Sequence, residues 1–358
     1  MFFSPKEKFI TGNEACVEGA LSAGAKMMCG YPITPATEIL ENWSKLSSEK
    51  ASKVITIQAE DEISAGFNLI GGLLSGVKCF TATAGVGHIL MQDSISMCEA
   101  MRLPFVGIIM QRGGPSTGTV IYGQQEVTLA CYGGNGEGLR IVYSTNSPQE
   151  LYDYTIKAFN CAWKYKFPTF VLGDGYQSKM KTKVKLNNIE TVKSNKIIGE
   201  NGKFVNIRNC YNFENQLAEV LANNISEYDK ISKDIIEFQE YECKDADTIV
   251  FAHGIVSSSA KEAINILRNK YHKKVGLFRP ITLRPFPKNA ASRAASSVNN
   301  ILIVESSNGH FSRIIKENLY GLTRINVLLR PVMGINPEEI VESVLNLEKN
   351  KDNFWIEH

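Results

Sequence analysis

The 358-residue sequence contains no Cys-x-x-Cys motif. Its eight cysteines are spread along the chain, and the closest two are 13 residues apart. Iron–sulfur clusters and structural zinc sites need clustered thiolates, so we expect neither on this chain. Reduced cysteines within apolar runs are typical of a cytoplasmic protein, which is the location that we predict.

The sequence also lacks a long apolar run and an excess of charge. Its longest charge-free, mostly apolar stretch, residues 63–77, has 15 residues and contains four glycines. A membrane span needs about 18 residues, and residues 1–8 lack the apolar core of a signal peptide, so we expect no membrane association. The formal net charge is only +2. Such a balance does not attract nucleic acid, and we predict no nucleic-acid partner.

Residues 51–150 are rich in glycine and poor in charge. They hold 15 of the 28 glycines but only 13 charged side chains, where the chain average of 21% predicts 21. Glycine allows backbone to approach a ligand, and an uncharged face is typical of a surface that another molecule covers. The stretch therefore indicates a ligand site or a covered face.

Alternating apolar segments predict an α/β fold built on a parallel sheet with helices on both faces. In the first half we predict strands at 26–30, 54–57, 77–83, 105–110 and 169–172, and helices at 12–24, 35–46, 61–75, 149–163 and from the turn at 85–87 to about residue 100. Residues 179–206 are predicted to be an extended connector, followed by a helix at 213–223. A smaller α/β unit follows, with strands at 248–252, 275–278, 301–304 and 327–329 and helices at 257–268, 290–297 and 311–319. We therefore predict domains at residues 1–178 and 247–350, joined by a connector at 179–246.

Three loops that follow predicted strands carry candidate site residues, because open α/β sheets bind ligands outside the carboxyl ends of their strands. Residues 30–35 would present N–H groups and the Thr34 hydroxyl to an anion, although Thr34 could instead cap a helix. Among the three acids at residues 58–62, one glutamate could contact a ligand, although acids in a first turn also stabilise the helix itself. Arg112, followed by two glycines, suits bidentate binding of a carboxylate, and a surface ion pair is the alternative.

Four other features carry weaker signals. Gly85-Val86-Gly87 lacks the third glycine of a dinucleotide fingerprint, and residues 19–24 lack the lysine of a phosphate loop. His88 has no histidine or cysteine near it in sequence and is expected to be structural. Gly173-Asp174-Gly175 with Asn201 has the spacing of a magnesium–diphosphate motif, but the lysine-rich residues that follow favour a mobile turn.

Several motifs, in this order, resemble those of the alpha-type subunit of the 2-oxoacid:ferredoxin oxidoreductases, over nearly the whole chain. They are Thr11-Gly12-Asn13-Glu14-Ala15, Gly30-Tyr31-Pro32-Ile33-Thr34-Pro35, Gln58-Ala59-Glu60, Thr81-Ala82-Thr83-Ala84-Gly85, Arg112-Gly113-Gly114-Pro115-Ser116-Thr117-Gly118 and Arg279-Pro280-Ile281-Thr282-Leu283. The resemblance implies a first domain with the pyrimidine-binding fold of thiamine diphosphate enzymes. It implies a second domain similar to the C-terminal domain of transketolases.

The same resemblance implies an activity and a set of partners. The enzyme would decarboxylate a 2-oxoacid oxidatively, transfer the acyl group to coenzyme A and pass electrons to ferredoxin. Thiamine diphosphate would be shared with a beta subunit, and magnesium and a [4Fe-4S] cluster would lie on partner subunits, which could include gamma and delta chains. The charge-poor residues 51–150 would then form the face that the beta subunit covers. A non-catalytic scaffold subunit and a nicotinamide dehydrogenase are the alternatives.

Site residues follow from the resemblance position by position. Glu60 matches the glutamate that hydrogen-bonds the aminopyrimidine ring of the cofactor. Thr34 and Arg112 match the positions that hold the substrate carboxylate. Two residues are expected beside that carboxylate, Tyr31 and Ile33. Three more are expected to line the cofactor site, namely Pro32, Gly85 and Gly87.

Two departures from the family pattern leave roles open. His88 follows the glycine turn where an apolar residue is usual, and the turn itself has valine in place of proline. Arg284 stands where the family commonly has tryptophan.

The signals for the substrate are mixed. Residues 37–39 and 112–118 resemble the 2-oxoglutarate branch, whereas residues 133–137 and 171–175 resemble the branched-chain 2-oxoisovalerate branch. We favour 2-oxoglutarate, with 2-oxoisovalerate or pyruvate as the alternatives.

Overall fold

The computed structural model describes residues 6–49, 53–198 and 207–349. In the first half, strands and helices alternate as the apolar pattern predicts. The strands are β1 (Lys6–Thr11), β2 (Met27–Gly30), β3 (Ile55–Gln58), β4 (Cys79–Thr83), β5 (Val106–Gln111), β6 (Ile141–Ser144), β7 (Thr169–Asp174) and β8 (Lys181–Leu186). The helices are α1 (Gly12–Ser22), α2 (Thr37–Ser48), α3 (Glu62–Leu74), α4 (Val86–Leu90), α5 (Gln92–Met101), α6 (Val127–Tyr132), α7 (Pro148–Tyr165) and α8 (Gly175–Lys179).

The second half continues the alternation. Its strands are β9 (Phe238–Tyr241), β10 (Thr248–Phe251), β11 (Val275–Pro280), β12 (Thr282–Arg284), β13 (Asn300–Glu305) and β14 (Arg324–Leu329). Its helices are α9 (Glu214–Ile235), α10 (Val256–Tyr271), α11 (Lys288–Ser296), α12 (His310–Leu319) and α13 (Pro337–Lys349).

The larger sheet has seven strands in the order β12-β6-β7-β5-β4-β2-β3, and every pair except β12–β6 is parallel. The side chains of β4, β5 and β7 are buried on both faces, which explains their nearly continuous apolar sequences. Trp43 of α2 packs edge-on against Phe80 of β4, with ring centroids 4.9 Å apart. The predicted α/β fold with a parallel sheet is confirmed.

The smaller sheet has five strands in the order β14-β13-β10-β11-β9, and only the β11–β9 pair is antiparallel. Two strands link the halves of the chain. β9 comes from the segment that the sequence predicts as a connector, and β12 leaves the second half to pair with β6 of the larger sheet. The two cores are therefore joined through both sheets and not by a linker alone.

Part of the predicted extended connector is a strand. β8 pairs antiparallel with β1 from Thr11–Lys181 to Lys6–Leu186, and neither strand was predicted from the sequence. The pattern was present, since lysines alternate with Thr182, Val184 and Leu186 along β8. The high lysine content concealed this period of two.

Several helix boundaries also differ from the prediction. α2 begins at Thr37 and not at residue 35, and the helix predicted to run to residue 100 is two helices with Met91 between them. α9 continues to Ile235, far beyond the predicted end at residue 223. Six further elements, in addition to β1 and β8, were not predicted: β6, β9, β12, α6, α8 and α13. Within the parts of the chain that the structure describes, no helix has the length and apolar character needed to cross a bilayer.

Candidate functional site

Four neighbouring strands of the larger sheet end at one edge. β2 ends at Gly30, β3 at Gln58, β4 at Thr83 and β5 at Gln111, and they lie side by side in the order β5-β4-β2-β3. Because ligands of open α/β sheets bind at the carboxyl ends of parallel strands, this edge is the expected position of a site. The loops that follow these four strands carry all the residues assigned from the resemblance.

Glu62 is the first residue of α3 and is turned inward. Asp61 caps the helix, since its carboxylate accepts a 2.7 Å hydrogen bond from the Ser64 N–H, and this bond lowers the pKa of Asp61. The side chain of Glu62 is only 4% exposed. Burial raises the pKa of the Glu62 carboxyl, and the nearby Arg112 guanidinium opposes that shift in part. A buried carboxyl with a raised pKa, at a strand-end edge, is typical of a proton-transferring group.

Glu60, which the resemblance singles out, occupies a different position. Its side chain is exposed, and its Oε1 atom lies 3.4 Å from the Ser64 hydroxyl. The structure therefore places two glutamates after β3, one facing solvent and one facing the site.

Glu62 was not predicted from the sequence as a site residue, although a signal for it exists. Ile63 and Phe67, two of the large apolar residues of α3, are 42% and 39% exposed. The buried face of the helix is instead formed by Glu62, Ala65, Gly66, Leu69, Ile70 and Leu73. Glu62 occupies the first position of that helical repeat, and the small residues on the face concealed it.

The glycine turn after β4 lies against Glu62 on one side and Arg112 on the other. A Cβ at Gly87 would lie 2.3 Å from both Glu62 Oε1 and Thr83 Oγ1, so any larger residue there would have to displace these side chains. Gly85 has φ +53°, and a Cβ at that position would lie 2.6 Å from Arg112 Nε. The turn is thus the point at which the two charged groups of the site approach one backbone segment.

Arg112 lies inside this edge and not on the surface. It is 5% exposed, and its Nη1 donates a 2.9 Å hydrogen bond to the Thr34 carbonyl oxygen. The buried Nε of Arg112 and the Thr83 hydroxyl have no hydrogen-bond partner in the structure. Buried polar atoms normally find partners, so these two atoms are candidates for contact with a ligand. Among the described residues no ion pair includes Arg112, which argues against the alternative of a surface ion pair.

The loop after β2 carries the other expected substrate residues. Thr34 is half-buried, with its hydroxyl 3.5 Å from that of Thr37. It does not cap α2, whose N-cap residue is Ala36. Ile33 is half-buried, whereas Tyr31 and Pro32 are exposed.

The expectation of a mobile turn at Gly173-Asp174-Gly175 is wrong. Asp174 is buried and caps α8, because its carboxylate accepts 3.0 Å hydrogen bonds from the Tyr176 and Gln177 N–H groups. Burial raises the pKa of Asp174 to about 6. Asn201 lies outside the described residues, and within those residues no cluster of three metal-ligating side chains occurs. The motif is a fixed helix cap in this chain.

The structure shows the contacts of His88 and Arg284, the two residues that depart from the family pattern. His88 is fully buried, and its Nδ1 lies 2.9 Å from Glu126 Oε2. Arg284 donates hydrogen bonds to the carbonyl oxygens of Cys131 and, at 2.7 Å, Gly138. It therefore ties β12 of the second half to α6 and to the loop that follows it.

An apolar surface borders the site. Ile63 and Phe67 of α3 and Ile89 and Leu90 of α4 are 39–57% exposed, and we call these four side chains the apolar patch. A groove of about 750 Å³ lies along α7, and its lining includes none of the site residues named above. The apolar patch, and not this groove, is the surface beside the site.

Two family models match the chain. Residues 18–244 match the family described as pyruvate flavodoxin/ferredoxin oxidoreductase, thiamine diphosphate-binding, and residues 246–340 match pyruvate:ferredoxin oxidoreductase core domain II. The chain belongs to the pyruvate flavodoxin/ferredoxin oxidoreductase family. This confirms the resemblance found in the sequence: the chain is an alpha-type subunit of a 2-oxoacid:ferredoxin oxidoreductase and carries a thiamine diphosphate-binding domain.

Individual members of the family are similar over most of the chain. The 2-oxoglutarate synthase subunit KorA of Methanothermobacter marburgensis is 30% identical and matches 96% of this chain and 100% of its own length. The ketoisovalerate oxidoreductase subunit VorB of the same organism is 32% identical and matches 86% of this chain and 89% of its own. A solved 2-oxoglutarate:ferredoxin oxidoreductase from Magnetococcus marinus superposes with a TM-score of 0.86 at 22% identity. That match covers 96% of this chain and 65% of the other, and it shows the shared fold.

Proposed function

We propose that this chain, together with partner subunits, oxidatively decarboxylates 2-oxoglutarate to succinyl-CoA and passes the electrons to ferredoxin. The convergence of Glu62, Arg112 and the Gly85–Gly87 turn at the carboxyl ends of β3, β4 and β5 carries this proposal. The name of the KorA relative supports 2-oxoglutarate as substrate, as does the solved relative, whose structure holds 2-oxoglutarate, coenzyme A and succinyl-CoA.

The residues at this edge fit the pyrimidine end of thiamine diphosphate. Gly85 and Gly87 leave space where any Cβ would collide with Arg112 or Glu62, and Thr83 has a buried hydroxyl without a partner. When bound, thiamine diphosphate supplies the electron sink that decarboxylation of a 2-oxoacid needs. The residues of this chain orient that group and hold protons near it. A beta subunit would supply the diphosphate site with its magnesium, and partner subunits would carry the [4Fe-4S] cluster.

We infer that Glu62, and not Glu60, is the glutamate that hydrogen-bonds the aminopyrimidine ring. Glu62 is buried beside the glycine turn, whereas Glu60 faces solvent. Burial raises the pKa of Glu62, which favours a carboxyl that can take up and release a proton beside the ring. Glu60→Gln is a matched control, because it changes the same group two residues away. We expect Glu62→Gln to reduce kcat of the complex by about 100-fold or more and Glu60→Gln to leave it within about twofold. A larger loss of kcat in Glu60→Gln than in Glu62→Gln would instead assign the hydrogen bond to the aminopyrimidine ring to Glu60.

Arg112 is suited to the carboxylate of the substrate. Its guanidinium is buried at the edge, is held at one nitrogen by the Thr34 carbonyl and has an unpaired Nε. A fixed guanidinium with free N–H groups binds a carboxylate in two-point geometry. Thr34, Ile33 and Tyr31 would form the wall beside that carboxylate.

The substrate is tested with the purified complex. Reduction of a viologen dye is measured with coenzyme A and each of 2-oxoglutarate, 2-oxoisovalerate and pyruvate. We expect the highest kcat/KM with 2-oxoglutarate. A preference for 2-oxoisovalerate would support the assignment that the VorB relative suggests. If the complex contains no thiamine diphosphate and reduces no dye, the chain is a scaffold subunit.

A further inference from the structure

Glu126 is a buried carboxylate that joins two backbone segments of the site. It lies at the start of α6 and is 5% exposed. Its Oε1 accepts hydrogen bonds from two backbone N–H groups, that of Gly85 at 2.9 Å and that of Arg112 at 3.2 Å. One oxygen atom thus joins the turn after β4 to the loop after β5.

Both N–H groups belong to segments that form the site. The turn that begins at Gly85 leads to Gly87, against which the Glu62 carboxylate lies. Arg112 carries the guanidinium that reaches the Thr34 carbonyl. A shift of either segment would therefore change the separation between Glu62 and the guanidinium.

His88 holds the other oxygen of Glu126. Its Nδ1 lies 2.9 Å from Glu126 Oε2, and because a carboxylate only accepts, Nδ1 donates. His88 Nε2 is buried without a partner in the structure, so the contact of Nδ1 with Glu126 is the hydrogen bond that orients the ring. The imidazole thus fixes the carboxylate from the side opposite the backbone contacts.

We propose that Glu126, held by His88, is a positioning residue that sets the distance between the carboxylate of Glu62 and the guanidinium of Arg112. This inference rests on the function proposed above for those two groups. It also explains why a histidine follows the glycine turn in this chain: the imidazole supplies the third donor to a carboxylate that already accepts two. Neither Glu126 nor His88 touches the substrate in this account.

The test compares three variants in the complex. Glu126→Met keeps a side chain of similar length but removes the acceptor, whereas Glu126→Gln keeps one oxygen for the two N–H groups and lets His88 accept from its amide. Gln125→Met is the matched control, because Gln125 accepts a 2.6 Å bond from Gly114 N in the same loop, whereas the Gly85 and Arg112 N–H groups donate to Glu126.

We expect Glu126→Met to raise KM for the 2-oxoacid about tenfold, with KM for coenzyme A unchanged, and Glu126→Gln to restore most of the affinity. Gln125→Met should change KM by less than about twofold. If Glu126 only fills space, Glu126→Met should leave KM for the 2-oxoacid unchanged. Wild-type KM in Glu126→Met would overturn the proposal. Glu126→Asp keeps the charge but is one methylene too short, and it provides the same comparison if the methionine variant does not fold.

Amide hydrogen exchange gives a readout that does not depend on activity. In Glu126→Met, exchange should be faster in the peptides that contain Gly85 and Arg112. In Gln125→Met, exchange in these peptides should be unchanged. Unchanged protection of both amides in Glu126→Met would refute the positioning role, and this result does not depend on which substrate the enzyme uses. If the Glu126→Met variant exchanges faster but the wild-type complex has no 2-oxoacid activity, the positioning role of the hydrogen bonds is supported and the proposed function is rejected.

Discussion

The Gly87→Ala substitution tests the site by adding a single methyl group. The added Cβ would lie 2.3 Å from Glu62 Oε1 and from Thr83 Oγ1, whereas ordinary van der Waals contact begins at about 3.4 Å. The Glu62 carboxylate must therefore move by about 1 Å, and the Thr83 side chain of the buried strand β4 must shift as well. A displacement of about 1 Å at a catalytic group can reduce the rate about 100-fold. Overpacking of this kind should also cost about 1–3 kcal/mol of stability.

Gly71→Ala, in the same helix as Glu62, is the control for this experiment. A Cβ at Gly71 meets nothing within 4 Å. Alanine there should stabilise the protein by about 0.5–1 kcal/mol, since glycine is a poor helix former. Both variants are assayed as the complex, with kcat for viologen reduction and the melting temperature as readouts. If Gly87→Ala keeps the kcat of the wild type, the Glu62 carboxylate is not part of the reacting site, and our account of the glycine turn is wrong.

Three further predictions concern other parts of the chain. Arg112→Lys should raise KM for the 2-oxoacid by about 10-fold or more with a smaller effect on kcat, because an ammonium group cannot make two-point contacts; an unchanged KM would exclude Arg112 from substrate binding. Burial lowers the pKa of His253 from 6.5 to about 3, so the folded protein keeps it neutral while the unfolded chain protonates. The free energy of unfolding should therefore fall by up to about 1.4 kcal/mol per pH unit as the pH is lowered from 6.5 to 3. Denaturant titrations should show a smaller slope for His253→Gln. Ile89→Glu, at a side chain that is 57% exposed in the apolar patch, should weaken binding of the partner subunit without changing the circular dichroism of the chain. The isolated wild-type chain should associate or aggregate. A stable monomer that does not bind the partner subunit would contradict this role of the apolar patch.

The sequence predicts the parallel core well because burial on both faces leaves an unmistakable apolar run. The strand at Val106–Gln111 is such a case, and its carboxyl end correctly predicts the position of Arg112. β8 was missed because its inward residues alternate with lysines. β12 could not be predicted from its own sequence, because its partner β6 is about 140 residues earlier in the chain.

The site shows the same limit at the level of single side chains. Local sequence indicates that an acid follows β3, but which of two glutamates faces inward depends on the helix cap at Asp61 and on the space that Gly87 provides. Glu126 gives no local signal, since it reaches the site from the start of α6. Its role depends on three hydrogen bonds to residues 14 to 41 positions away.

The most direct test of the central claim is a structure of the assembled complex with thiamine diphosphate and 2-oxoglutarate bound. The distance that matters joins the Glu62 carboxylate to the nearest nitrogen of the aminopyrimidine ring. We predict a hydrogen bond of about 2.6–3.2 Å, with the substrate carboxylate on Arg112 and the apolar patch covered by the partner subunit. A ring that is hydrogen-bonded by Glu60, or that lies away from this sheet edge, would contradict the account.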